Sequence, residues 1–216
     1  FKDGKKIKIL SELLHVDSTV VPDPAVAAAV KAWEDRAYAA FRAIGLEPYD
    51  VVYHIKGQLD GTETNNRFRK TDLGTIIAQS MLAASPQADA AFFNSGSIRI
   101  DDKIEGVMTQ MDVIRTLPFG GKLVEVTMTG KLLHQLLNTS NTLKGQGGFL
   151  QVSENLAFAD DKWLLNGNVI DDAKSYTIVT SDFLISGAEK GLDFFKAGNP
   201  EIKNIKVLVV EYMPLN

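Results

Sequence analysis

The sequence contains no cysteine, which excludes disulfides, thiolate zinc sites and a cysteine nucleophile. Histidine is almost as scarce. His15, His54 and His134 stand far apart in sequence, and none sits in an H-E-x-x-H, D-x-H or G-N-H setting that would open a metal centre. No apolar run approaches the roughly 18–20 residues needed to cross a bilayer, and no signal peptide is visible. Excess positive charge is missing too: 23 Lys and Arg against 27 Asp and Glu give a net −4. The chain therefore has no basic footprint for a nucleic acid polymer or an anionic membrane. It begins with Phe1 rather than Met, as a processed chain or a fragment of a longer one would.

What is present suits a globular fold. The 216 residues are 45% hydrophobic, enough to build a core without covalent or metal staples. The segment 23–44 has a capping Asp23, a first-turn Pro24 and apolar residues Val26, Val30, Trp33, Ala37, Phe41 and Ile44 at helical spacing. It predicts a helix that docks through one apolar stripe. Further helices are expected over 71–84, 110–117 and 130–140. Strands are expected over 5–10, 50–61, 88–93, 122–129, 175–181 and 205–213, with an Asn-Gly hairpin near 163–170. Helices and strands interleave irregularly, so the expected fold class is α+β: a mixed β-sheet with packed helices.

Catalytic machinery is hard to find. "NSGS" at 94–97 lacks the flanking glycines of a nucleophile elbow. "GQGGF" has the glycines of a phosphate loop but no Lys-Ser/Thr after them. Binding chemistry is easier to see. Arg67 and Arg69 sit one residue apart just ahead of a helix start, where anions are favoured. Arg99 adds a third guanidinium, suited to a carboxylate or phosphate. Phe119 stands between a proline and two glycines, as a loop anchor or as a stacking platform for a planar ligand.

Four motifs in order, "RFRKTDLGTIIAQSM", "ADAAFFNSGSIR", "IRTLPFGGKLVEVTMTGKLLHQLL" and "GQGGFLQVS", together resemble the C-terminal domain of the 5′-nucleotidase family. The resemblance runs from about Val51 to the C-terminus. That family includes 5′-nucleotidases, UDP-sugar hydrolases and 2′,3′-cyclic-nucleotide phosphodiesterases. It implies residues 1–49 as the end of a preceding domain with a linker helix, and 50–216 as the C-terminal-like domain. It further implies a nucleotide or nucleoside ligand and a periplasmic or extracellular location. The expected partner is an N-terminal metallophosphoesterase domain carrying a two-metal site for divalent ions. Neither catalytic nor metal-ligating residues are expected in this chain, which alone should be inactive.

By the resemblance, Arg67, Asn94 and Arg99 contact the substrate, and Phe119 is one of two aromatics that sandwich a base. The second aromatic is aligned with Phe194 in "GAEKGLDFF", and Asp193 stands in for a polar contact from that loop. The loop is longer than the family's G-G-D-G pattern, which it breaks. Ser97 occupies a position where relatives keep glycine. If the backbone there has positive φ, serine costs about 1 kcal/mol against glycine. Two alternatives stay open: a stand-alone nucleotide-binding module without hydrolysis, and a family member acting on a non-nucleotide phosphoester.

Overall fold

The computed structural model describes residues 3–209 apart from 7, 9 and 15. The expected strand over 5–10 thus falls partly outside the described residues, as does the end of the one over 205–213. The chain divides into two compact units, Phe1–Glu47 and Pro48–Asn216.

The first unit is built around helix α1, Pro24–Ala43. Asp23 caps it by accepting from the amides of Ala25 and Val26 at 2.9 and 3.0 Å, with Pro24 pre-set for the first turn. None of its residues is buried. The apolar stripe is exposed apart from half-buried Phe41, with Trp33 at 66%.

The second unit grows from the run Ala90-Ala91-Phe92-Phe93. This is too short and too uniformly apolar for a surface strand, and it forms β2, Ala90–Asn94, buried at every position. The elements before it are β1 (Val51–Asp60), α2 (Glu63–Asn66) and α3 (Asp72–Ala83). A 3-10 turn, Ser95–Ser97, follows it, then β3 (Lys103–Thr109), α4 (Gln110–Thr116), β4 (Leu123–Thr129) and α5 (Gly130–Thr142). The chain continues through β5 (Leu150–Val152), β6 (Leu156–Ala159), β7 (Lys162–Leu165), β8 (Asn168–Val169), β9 (Ser175–Ser181), α6 (Asp182–Ile185) and β10 (Ile202–Val207).

The central sheet has the order β10-β4-β9-β2-β5. The β2–β9 pair is parallel and the other pairs are antiparallel, so the sheet is mixed and the class is α+β. Alternation along the strands sends Ala90, Phe92 and Ile178 to one face, where α5 packs Leu132, Leu133, Leu136 and Leu137. Ala91, Phe93 and Val179 face the other side, against Leu73, Ala78 and Met81 of α3. Burying both faces removes the polar alternation a one-sided sheet would show.

Two small sheets complete the unit, β1–β3 and β6-β7-β8. Strand β3, paired antiparallel with β1, is absent from the sequence expectation. Its residues KIEGVMT are too polar and glycine-broken to read as a strand without their partner. Strand β5 follows directly on the glycine-bearing "GQGGF".

Candidate functional site

Topology gathers four loops at one end of the central sheet. Because β2 and β9 run parallel, with Ala90 opposite Ile178, the residues after Asn94 and after Ser181 emerge on the same side. Strand β4 is antiparallel to β9 and starts with Leu123 opposite Ser181. The loop before it, 117–122, therefore reaches that end as well. Strand β5 is antiparallel to β2 and starts with Leu150 opposite Asn94, which brings in 145–149. Carboxyl ends of parallel strands are where open α/β sheets form ligand crevices.

The loops enclose a cleft of about 620 Å³. Its floor is the turn after β2. The Ser95 amide donates to the Phe149 carbonyl at 2.8 Å, and the Gly96 amide to the Gly147 carbonyl at 2.9 Å. The two glycine-bearing loops are thereby stitched backbone to backbone. Asn94 is 4% exposed, and its Oδ1 accepts from the Ser97 hydroxyl at 2.8 Å while its Nδ2 donates to Glu189 at 2.8 Å. An ionised carboxylate only accepts, so the Glu189 contact fixes which way the Asn94 amide faces.

Burial raises the Glu189 carboxyl above its ordinary value, and the Asn94 hydrogen bond and the Arg67 charge pull it partly back. Arg67 follows α2 and pairs with Glu63 one turn earlier at 3.0 Å. Its loop is anchored from below by Gln151, fully buried on β5. Gln151 donates to the carbonyls of Asn66 and Arg69, both at 2.7 Å, and accepts from the Thr71 amide at 3.0 Å.

Phe119 leaves α4 through Leu117 and Pro118, which ends the helix. The Arg99 amide ties the two segments by donating to the Thr116 carbonyl at 2.9 Å. The Arg99 guanidinium sits 5.6 Å over the Phe119 ring, a cation–π contact that steadies both. Even so the ring is 63% exposed, and Phe183 on α6 lines the same cleft at 45% exposure. Two large rings left in water around one cleft are not part of a packed core.

A model of the family described as 5′-nucleotidase, C-terminal domain, matches residues 51–197. The chain belongs to that family. Among its relatives, Protein UshA of Escherichia coli (strain K12) is 30% identical over 144 residues, 64% of this chain and 26% of that protein. A 5′-nucleotidase of Vibrio vulnificus (strain CMCP6) is 32% identical over 142 residues, 65% of this chain and 23% of that protein. The solved structure of a 5′-nucleotidase precursor from Thermus thermophilus shares the fold. Its TM-score is 0.61 and its identity 23%, over 78% of this chain and 36% of that one. This 5′-nucleotidase C-terminal domain chain spans about a quarter of the length of the curated relatives it matches.

Within this 5′-nucleotidase C-terminal domain, the cleft brings together Arg67, Asn94, Ser97, Arg99 and Phe119 from the sequence-derived set. Asp193 and Phe194 do not line it. The loop after α6 is pinched closed by the bridge between Ser186 and Lys196, which turns Glu189 toward Asn94 and Phe194 against the core. The Phe194 carbonyl is held there by the Asn199 side chain at 2.8 Å. Asp193 is exposed.

The second ring at the cleft belongs to Phe183, and the acidic groups there are Asp182 and Glu189. The signal for Phe183 and Asp182 was the stretch "TSDF", an aromatic set directly after the polar end of a strand, much as "NSGS" follows β2. Ser97 closes the 3-10 turn and is not among the residues with positive φ. The strain expected for a serine in a glycine position therefore does not arise.

Proposed function

We propose that this domain grips the nucleoside part of a nucleotide for a 5′-nucleotidase-type phosphohydrolase. The supporting observation is the pairing of two exposed rings, Phe119 and Phe183, with a polar floor in one cleft. The rings take the two faces of a base. At the floor, Asn94 and the Glu189 carboxylate offer a donor and acceptors to sugar hydroxyls. Arg67 and Arg99 supply positive charge for anionic groups.

Hydrolysis is assigned to an N-terminal metallophosphoesterase domain outside this sequence, and the family likeness supports a periplasmic or extracellular location. Among the described residues, no group of three or more His, Asp or Glu is placed to hold a metal ion. No described helix is long and apolar enough to cross a membrane.

The test is a calorimetric titration of the chain with adenosine 5′-monophosphate and with adenosine. Base stacking on an aromatic is worth about 1–3 kcal/mol, so Phe119→Ala should weaken both ligands about tenfold or more. Binding indifferent to that change would remove the ring from the site. The chain with Mn²⁺ should release no phosphate from the nucleotide, and turnover would contradict the division of labour.

A further inference from the structure

Asp182 is the one cleft carboxylate that the protein leaves without a partner among the described residues. Glu189 holds Asn94, whereas no donor or cation is bonded to the Asp182 side chain, and Lys122 beside it forms no ion pair. The residue is half-buried and its backbone is fixed in place. Asp182 opens α6, its amide donates to the Lys122 carbonyl at 2.9 Å, and Ser181 caps the turn behind it through the Leu184 amide. Its Oδ1 lies 2.9 Å from where a Cβ on Gly121 would sit. The φ of +157° at Gly121 and its missing side chain together make room for the oxygen there. The acid thus sits in the seam between the loop bearing Phe119 and the turn bearing Phe183, and lines the same cleft as both rings.

We infer that Asp182 selects the base, favouring a ring whose edge carries adjacent N–H donors, as guanine does. This rests on the reading that Phe119 and Phe183 stack a base. An ionised carboxylate has two acceptor oxygens and no donor. Guanine presents N1–H and the 2-amino group side by side, one for each oxygen. Adenine presents its amino group beside a ring nitrogen lone pair, and cytosine does the same, so in each one oxygen meets an acceptor. Uracil offers a single N–H between two carbonyls. A desolvated carboxylate left facing a lone pair penalises binding, which turns an unpaired acceptor into a filter.

The experiment titrates the full chain and its Asp182→Asn and Asp182→Ala variants with guanosine, inosine and adenosine. Wild type should bind guanosine about tenfold or more tightly than adenosine, with inosine, which lacks the 2-amino group, in between. Both variants should bring guanosine to within about twofold of adenosine, with adenosine binding retained as the sign of an intact cleft. Equal binding of guanosine and adenosine by wild type, with both still weakened by Phe119→Ala, would overturn the role of Asp182 and leave the stacking intact. Loss of all three ligands alike in both variants would make Asp182 structural and also overturn the inference. Failure of every nucleoside to bind wild type would overturn the stacking reading and the selection together.

Discussion

Asn94 and Glu189, 95 residues apart in sequence, share a 2.8 Å hydrogen bond at the floor of the cleft. The bond joins the end of strand β2 to the loop after α6. One partner is neutral and nearly inaccessible, and the other is an acid held above its ordinary pKa by burial.

That shift has a sign in stability. Folding favours the protonated Glu189, so its contribution is fully present below the ordinary carboxylate range and lost as pH rises through the raised value. Glu189→Gln keeps an acceptor for Asn94 and stays neutral throughout. The melting temperature of the variant should match wild type in acid and exceed it at neutral pH. A variant less stable at neutral pH would show that the Asn94 and Arg67 interactions outweigh burial.

The two candidate rings are separable by mutation. Phe183→Ala should weaken nucleoside binding about tenfold or more with a small change in melting temperature, because the ring is 45% exposed. Phe194→Ala should do the reverse, since its ring packs against the core. Measuring both binding and unfolding on both variants decides the point. Binding lost in the Phe194 variant and kept in the other would restore Phe194 to the site.

Gln151 carries the loop of Arg67, and its removal should be felt twice. Gln151→Leu leaves the Asn66 and Arg69 carbonyls and the Thr71 amide without partners. At about 1–3 kcal/mol for each buried group left unpaired, denaturant unfolding should report a loss of several kcal/mol. Gly74→Ala attacks the same joint from the other side, because its Cβ would lie 2.1 Å from Gln151 Oε1. Either variant should also bind nucleoside more weakly through the displaced arginine. Unaltered stability in both would refute the anchoring role.

Ser97 gives a prediction against the family pattern. With the backbone already right-handed, Ser97→Gly relieves no strain and removes the hydroxyl that holds Asn94 Oδ1. Stability should fall by about 1 kcal/mol, readable by chemical denaturation. A gain would mean that glycine is the better residue there.

Much of this protein is written in its sequence. Asp23 and Pro24 start α1, Thr71 and Thr129 cap α3 and α5, and the apolar run at 90–93 makes β2, because caps and periodicity act over a few residues. The motifs around Arg67, Asn94, Arg99 and Phe119 were legible for the same reason. What stayed hidden depended on distant partners. Strand β3 exists because β1 pairs with it, and the loop 186–196 turns Phe194 inward because Ser186 and Lys196 bridge. Phe183, Asp182 and Glu189 become site residues only because β9 runs parallel to β2 and so delivers α6 beside Asn94. The sequence by itself determined the capped helices α1, α3 and α5, the buried strand β2 and the loops around Arg67, Asn94, Arg99 and Phe119. Only the tertiary structure decided which ring and which acids share the cleft, since strand order and direction are set by non-local pairing that no local pattern records.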